Sequence, residues 1–304
     1  MKTSNQWRLL PHEIFFGLFL LITWIRLVFN VGFFDGDTRL FFALIAINIW
    51  LVWFCRSGAT SRHWRWGLLF YPVVMNVVFM DMKTAIPKIH PEHMDALLQR
   101  LDQLVIGKNL SLQIQPLAHP AFTEVFSFCY ILFFPYLLFS LIYYFCGDVE
   151  LLKRFVTGLF TVYGIGFLGY SFVPAVGPGH AMADQFLAPL NAWWITRWNA
   201  SVVARGSNGV DVFPSLHCAV SSFFLFFDRR HRPWRFKLYL VPCIGLWIST
   251  IYLRYHYFVD ICCGFMLSAF ALWIARNYPK ADQTKAIVRE APESVIARVN
   301  QNIP

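Results

Sequence analysis

The sequence predicts an all-α, polytopic transmembrane helical bundle of about eight spans, and three observations carry that expectation. Apolar residues make up 57% of the 304 residues and charged residues only 14%, well outside the ranges of soluble domains. The apolar residues fall in long, nearly continuous runs, and a bilayer offers backbone polar groups no water, so helices are the expected spanning element. Aromatic residues, including 12 Trp and 32 Phe, suit a chain that faces acyl tails and places rings at headgroup depth.

Taken in order, the apolar runs predict spans at 13–34, 40–55, 66–82, 121–146, 155–174, 214–227, 236–253 and 256–275. The first run is too long for a signal-peptide core and lacks a small-residue cleavage site, so it is expected to remain as an anchor. The formal charge of +9 does not point to nucleic acid, because the basic residues sit in the turns between spans rather than on one helix face. Arg56, Arg62 and Arg65, then Lys153 and Arg154, then Arg229, Arg230, Arg232, Arg235 and Lys237 fall on one side of an eight-span chain. Lys2, Arg8, Arg276, Lys280, Lys285, Arg289 and Arg298 join them, so both termini are expected in the cytoplasm and segments 83–120 and 175–213 outside. A bacterial inner membrane with the site facing the periplasm or lumen fits such short loops.

Three regions divide the chain: N-terminal spans with an interfacial helix (1–120), a catalytic membrane core (121–278) and a polar tail (279–304). Within the first, Met94, Leu97, Leu98, Leu101, Leu104 and Val105 recur at helical spacing, with Asp95, Gln99, Arg100, Asp102 and Gln103 on the other face. This reads equally as a helix lying in the membrane interface or as one packed on the bundle. Pro174, Gly177, Pro178, Gly179, Gly206, Asn208 and Gly209 make 175–213 an expected loop. The seven cysteines show no Cys-x-x-Cys spacing and indicate neither a disulfide framework nor a zinc site.

Two stretches carry chemistry. In Phe213-Pro214-Ser215-Leu216-His217, Pro214 suits a first helical position, which would set Ser215, His217 and free backbone N–H groups at a helix N-terminus, where phosphate binds. In Ser249–Asp260, His256 and Asp260 are four apart, a spacing that on a helix lets the carboxylate orient one imidazole nitrogen and leave the other nucleophilic. One histidine can then attack phosphorus while the other protonates the leaving group, with arginine and backbone amides stabilising the equatorial oxygens and no metal needed.

Together these stretches resemble the type 2 phosphatidic acid phosphatase superfamily, in particular its inositol phosphorylceramide synthase-like branch. The likeness covers roughly 121–275 and includes Pro174-Ala175-Val176-Gly177-Pro178 and Tyr255-His256-Tyr257-Phe258-Val259-Asp260. It implies His256 as nucleophile, Asp260 as its orienter, His217 as acid and Ser215 as a phosphate contact. It implies no cofactor and no metal, with membrane lipids as partners: a phospholipid donor and a lipid alcohol acceptor. Two departures stand out: a Lys-x6-Arg-Pro element is missing, and Thr250 follows Ser249 where the superfamily has arginine. The synthase branch resembles this chain in lacking the first element, which favours transfer between lipids over hydrolysis of a lipid phosphate or polyprenyl diphosphate. Arg254 and Arg205 are the candidates for the missing charge, and Gly177 and Gly179 for a phosphate or headgroup loop.

Blander explanations exist for several of these residues. An isolated histidine near a membrane surface, such as His90, His93 or His180, is more often solvated than catalytic. Arg254 can serve as an interfacial anchor, and Gly177-Pro178-Gly179 as a plain turn. Arg26, Asn76 and Glu124 are costly in hydrocarbon, so each suggests either function or structural pairing. A non-enzymatic transporter would spread its polar residues through several spans at mid-depth, whereas here they gather at one interface. A di-iron oxidase would need several closely spaced histidine pairs.

Overall fold

In a computed structural model that describes residues 9–57 and 61–278, each predicted span is a helix. These are α1 (Pro11–Val31), α2 (Gly36–Ser57), α3 (Ser61–Ile89), a helix pair α6 (Pro120–Ile131) and α7 (Phe133–Cys146), α8 (Val149–Phe172), α11 (Leu216–His231), α12 (Pro233–Tyr252) and α13 (Phe258–Arg276). Shorter helices α4 (Asp95–Ile106), α5 (Leu110–Gln113), α9 (Pro178–Ala181) and α10 (Trp194–Gly206) lie between them. Every regular element among the described residues is helical, as backbone satisfaction in hydrocarbon requires. Among the described residues, six stretches are long and apolar enough to cross a membrane: α1, α2, Arg62–Ile89, Pro120–Cys146, α8 and α13. Lys2, Arg8, Lys280, Lys285, Arg289 and Arg298, with the rest of the tail, lie outside the described residues.

Helix α8 is the axis of the bundle, packed against α1, α3, α11 and α13. Its close approach to α1 depends on Gly164, where a Cβ would stand 2.8 Å from the backbone nitrogen of Phe16. Small residues permit such contacts between spans that have no hydrophobic drive to associate in lipid. The break between α6 and α7 at Leu132 follows from Pro135, which has no N–H to donate to the turn before it. Tyr130 and Phe133 flank this break.

The basic turns gather at one end of the bundle. Arg56 at the end of α2 pairs with Glu13 at the start of α1, and Arg65 at the start of α3 donates to the carbonyls of Phe145 and Gly147 after α7. Lys153 at the start of α8 lies over the Trp64 ring. Arg235, fully buried, pairs with Asp228 at 2.9 Å, and Asp228 also accepts from the hydroxyls of Tyr136 and Tyr144. The histidine-bearing ends of α11 and α13 lie at the opposite end.

Two expectations change. Segment 175–213 is not simply a loop, because Trp194–Gly206 forms α10. Glu124 of α6 provides its cap, accepting from the backbone of Trp193, Ile195 and Thr196 and from the Thr196 hydroxyl. Helix α4 is amphipathic as read, but its carboxylates face the protein: Asp102 is 1% exposed while Leu104 is 81% exposed. Its apolar stripe is divided: Leu98 packs fully buried against Ala175, Val212 and Tyr257, while Leu104 and Val105 are exposed.

Candidate active site

Helix α11 begins two residues later than its sequence suggests, at Leu216 and not at Pro214. Ser215, not a residue before Pro214, is the N-cap: its Oγ accepts from the backbone N–H of Cys218, and its own N–H donates to the Asp260 carbonyl at 3.1 Å. Ser215 is fully buried and ties the start of α11 to α13. His217 then falls in the first turn, its ring 4.7 Å from both the Tyr130 and Phe133 rings, with Nδ1 3.5 Å from the Tyr130 hydroxyl.

The pairing of His256 with Asp260 arises differently from the predicted helical stacking. His256 precedes α13 and is not part of it. Asp260 occupies the third helical position and accepts from the Tyr257 N–H at 2.8 Å, folding the chain back so that His256 Nδ1 stands 3.5 Å from Asp260 Oδ2. That separation is longer than a formed hydrogen bond, and such contacts commonly tighten only in the substrate complex. With Nδ1 turned to the carboxylate, Nε2 is the nitrogen left to react. The His217 and His256 rings lie 5.9 Å apart, centroid to centroid.

The His256 loop is held from three sides. Thr250 O accepts the N–H groups of both Tyr255 and His256. Gly179 N–H donates to Arg254 O at 2.7 Å, and a Cβ on Gly177 would meet Tyr255 O at 2.5 Å. Gly177 also has φ +86°, open to glycine at little cost. These two glycines therefore let segment 177–179 lie against the backbone of Arg254 and Tyr255. From the third side, α4 supplies two carboxylates missed as site residues. Asp102 accepts from the N–H groups of Phe258 and Val259 at 3.0 and 2.9 Å, capping α13 from outside. Asp95 accepts from Val176 and Gly177 N–H and from the Tyr257 hydroxyl. Burial raises the Asp102 carboxyl above its ordinary value, and the two backbone donors pull it back.

Arg254, itself at φ 65°, is nearly buried: its guanidinium stacks on the Phe186 ring at 3.8 Å and donates to Ala188 O at 3.0 Å. Its charge is thus engaged by the loop before α10. Arg205 is exposed near the end of α10 and is not in the wall of the cavity beside His217.

That cavity, about 390 Å³, runs from His217 between α3, α7, α8 and α10. Its wall is mainly aromatic and aliphatic, with Asn76, Ser207 and Asp211 among its polar members and no Lys or Arg. Of the three polar residues singled out within spans, Asn76 lines the cavity, Glu124 caps α10, and Arg26 donates to Ser171 O at 2.8 Å and stacks on Phe172. Asp211 was not read from the sequence as a site residue. The available signal was a carboxylate set between Val210 and Val212, six residues before His217.

The PAP2 superfamily model matches residues 97–274, a range that takes in both histidines and α4 from Leu97 onward. A phosphoinositol dihydroceramide synthase from Bacteroides thetaiotaomicron is 28% identical over 159 residues, covering 47% of this chain and 51% of the relative. The chain thus spans about half the length of that curated relative. No solved structure gives a match. By the family match over more than half its length, the chain belongs to the PAP2 superfamily.

Proposed function

We propose that this protein is a membrane enzyme that moves a phosphoryl or phospho-headgroup from one lipid to another through a histidine-bound intermediate. The observation that carries the reading is the juxtaposition of two imidazoles, 5.9 Å apart, one of them lining an apolar cavity and the other backed by Asp260. Family membership and the synthase relative support lipid phosphate chemistry. The donor is a phospholipid such as phosphatidylinositol, and the acceptor a ceramide-like or diacylglycerol-like alcohol.

In this reading Nε2 of His256 attacks phosphorus, and the bond from phosphorus to the lipid alkoxide oxygen breaks as His217 delivers a proton to that oxygen. Asp260 holds Nδ1–H and stabilises the charge the ring acquires. His217, now neutral, takes the proton of the incoming alcohol as its oxygen attacks phosphorus and the N–P bond breaks. The α11 N-terminus supplies backbone N–H groups for the equatorial oxygens. The basic turns at the opposite end of the bundle support cytoplasmic termini and an outward-facing site in a bacterial inner membrane.

The test is product analysis with purified protein and chelator present. Fluorescent ceramide and diacylglycerol are offered with phosphatidylinositol, and lipid phosphates are offered alone, to wild type and to His256→Ala. A phospholipid formed on the acceptor by wild type and not by the variant is the expected result. Free phosphate without acceptor labelling would make the protein a phosphatase, and neither product would remove the enzymatic reading.

A further inference from the structure

The loop joining α10 to α11 is built around one carboxylate that the mechanism above does not use. Ser207 Oγ donates to Asp211 Oδ1 at 2.6 Å while accepting from Gly209 N–H at 3.1 Å. Asn208 Oδ1 accepts from Val210 N–H, and its Nδ2 donates to Phe79 O at 2.9 Å, pinning the loop to α3. Asp211 is thereby fixed in the wall of the same cavity that His217 lines. No Lys or Arg lines that cavity, and none pairs with Asp211 among the described ion pairs. An enclosed carboxylate with no cation is expensive unless donors satisfy it. Burial pushes its carboxyl above the ordinary range, while Ser207, backbone N–H groups of Asp211 and Asn208 and the nearby His256 ring only partly offset that rise. A further donor arriving with the substrate would complete the stabilisation of the charged form.

The sign of the charge also matters. A carboxylate beside the reacting phosphorus repels a dianionic phosphomonoester about twice as strongly as a monoanionic phosphodiester at equal distance. Resting on the transfer reading, we infer that Asp211 is the specificity-determining residue of this site. One of its oxygens accepts a hydroxyl hydrogen from the substrate, and its charge favours a phosphodiester carrying such a hydroxyl over a phosphomonoester. The hydroxyl comes from a polyol headgroup on the donor or from a non-reacting hydroxyl or amide-bearing end of the acceptor.

Asp211→Asn keeps the size and an oxygen for Ser207 but removes the charge. The experiment compares kcat/KM of wild type and Asp211→Asn on phosphatidylinositol and phosphatidic acid, each with ceramide and with diacylglycerol. The expected result is a fall of about ten- to a hundredfold on phosphatidylinositol, the worth of a charge-assisted hydrogen bond, together with a rise on phosphatidic acid. A fall with both acceptors assigns the hydroxyl to the headgroup, and a fall with ceramide alone assigns it to the acceptor. Equal change on both donors, or no change, would overturn the inference. Wild type inactive on every lipid would count against the transfer reading instead. Binding of the same two donors to His256→Ala, with and without Asp211→Asn, then decides: loss of preference for phosphatidylinositol supports the role, and an unchanged preference refutes it.

Discussion

At the scale of single residues, the site is two imidazoles given different neighbours. His256 has a carboxylate on one nitrogen, and His217 has a tyrosine hydroxyl and two aromatic faces. Asp260→Asn preserves volume, and its side-chain oxygen can still accept from Tyr257 N–H, but it removes the charge that orients and stabilises the His256 ring. Turnover is expected to drop about 10²–10⁴-fold with little change in thermal stability, the range for losing acid–base assistance. Full activity in this variant, His217→Ala and His256→Ala alike would contradict the assignment. Gly177→Ala offers a second residue-scale test, because its Cβ would press on Tyr255 O, whereas Gly32 has a similar φ of 85° and open space. Both substitutions incur the cost of a side chain in this essentially glycine-only backbone region, roughly 1–3 kcal/mol. Only Gly177→Ala is expected to abolish turnover, measured at matched expression in membranes.

At the scale of elements, α4 follows the second of its two sequence readings, a helix packed on the bundle, and it braces the candidate site. Its buried face carries Leu98 into the core and sets Asp95 and Asp102 to satisfy backbone donors of segments 176–177 and 258–259. Asp102→Ala strands two donors at the start of α13 and is expected to lower stability by about 1–2 kcal/mol, as for a lost helix cap. Turnover should fall with it, and Asp102→Asn, which can still accept, should recover part of both in detergent melting and activity assays. Much of this architecture is legible in sequence because hydropathy runs and turn residues act locally. The sequence motifs singled out His217, His256 and Asp260 as candidates, and the structure brings the three together. What escaped depends on contacts between distant segments: α10 needs Glu124, some 70 residues earlier, and Asp102 reaches a helix more than 150 residues away. The helical spacing of His256 and Asp260 found the right pair by an inexact route, since a helix cap and not a shared helix face brings them together.

At the scale of the whole molecule, the bundle separates two polar regions. One end holds basic turns and a buried ion pair, Arg235 with Asp228, ringed by Tyr136, Tyr143 and Tyr144. The other holds the two histidines, of which His217 lines the apolar cavity. Arg235→Ala would leave Asp228 buried with its hydroxyl partners alone and is expected to destabilise the protein by about 3–5 kcal/mol, the usual result of breaking one side of a buried pair. Thermal melting in detergent checks the loss, and any protein that remains folded should form the same lipid product, because the pair lies at the opposite end from the histidines. The central claim is that phosphorus is held covalently on His256 between the two half-reactions. The most direct measurement is to mix the protein with donor lipid labelled at phosphorus, quench in alkaline denaturant without acceptor, and map the label by peptide mass spectrometry. An acid-labile, alkali-stable adduct on the peptide containing His256, missing in His256→Ala, is the expected result. Turnover with no adduct, or an adduct on another residue, would contradict it.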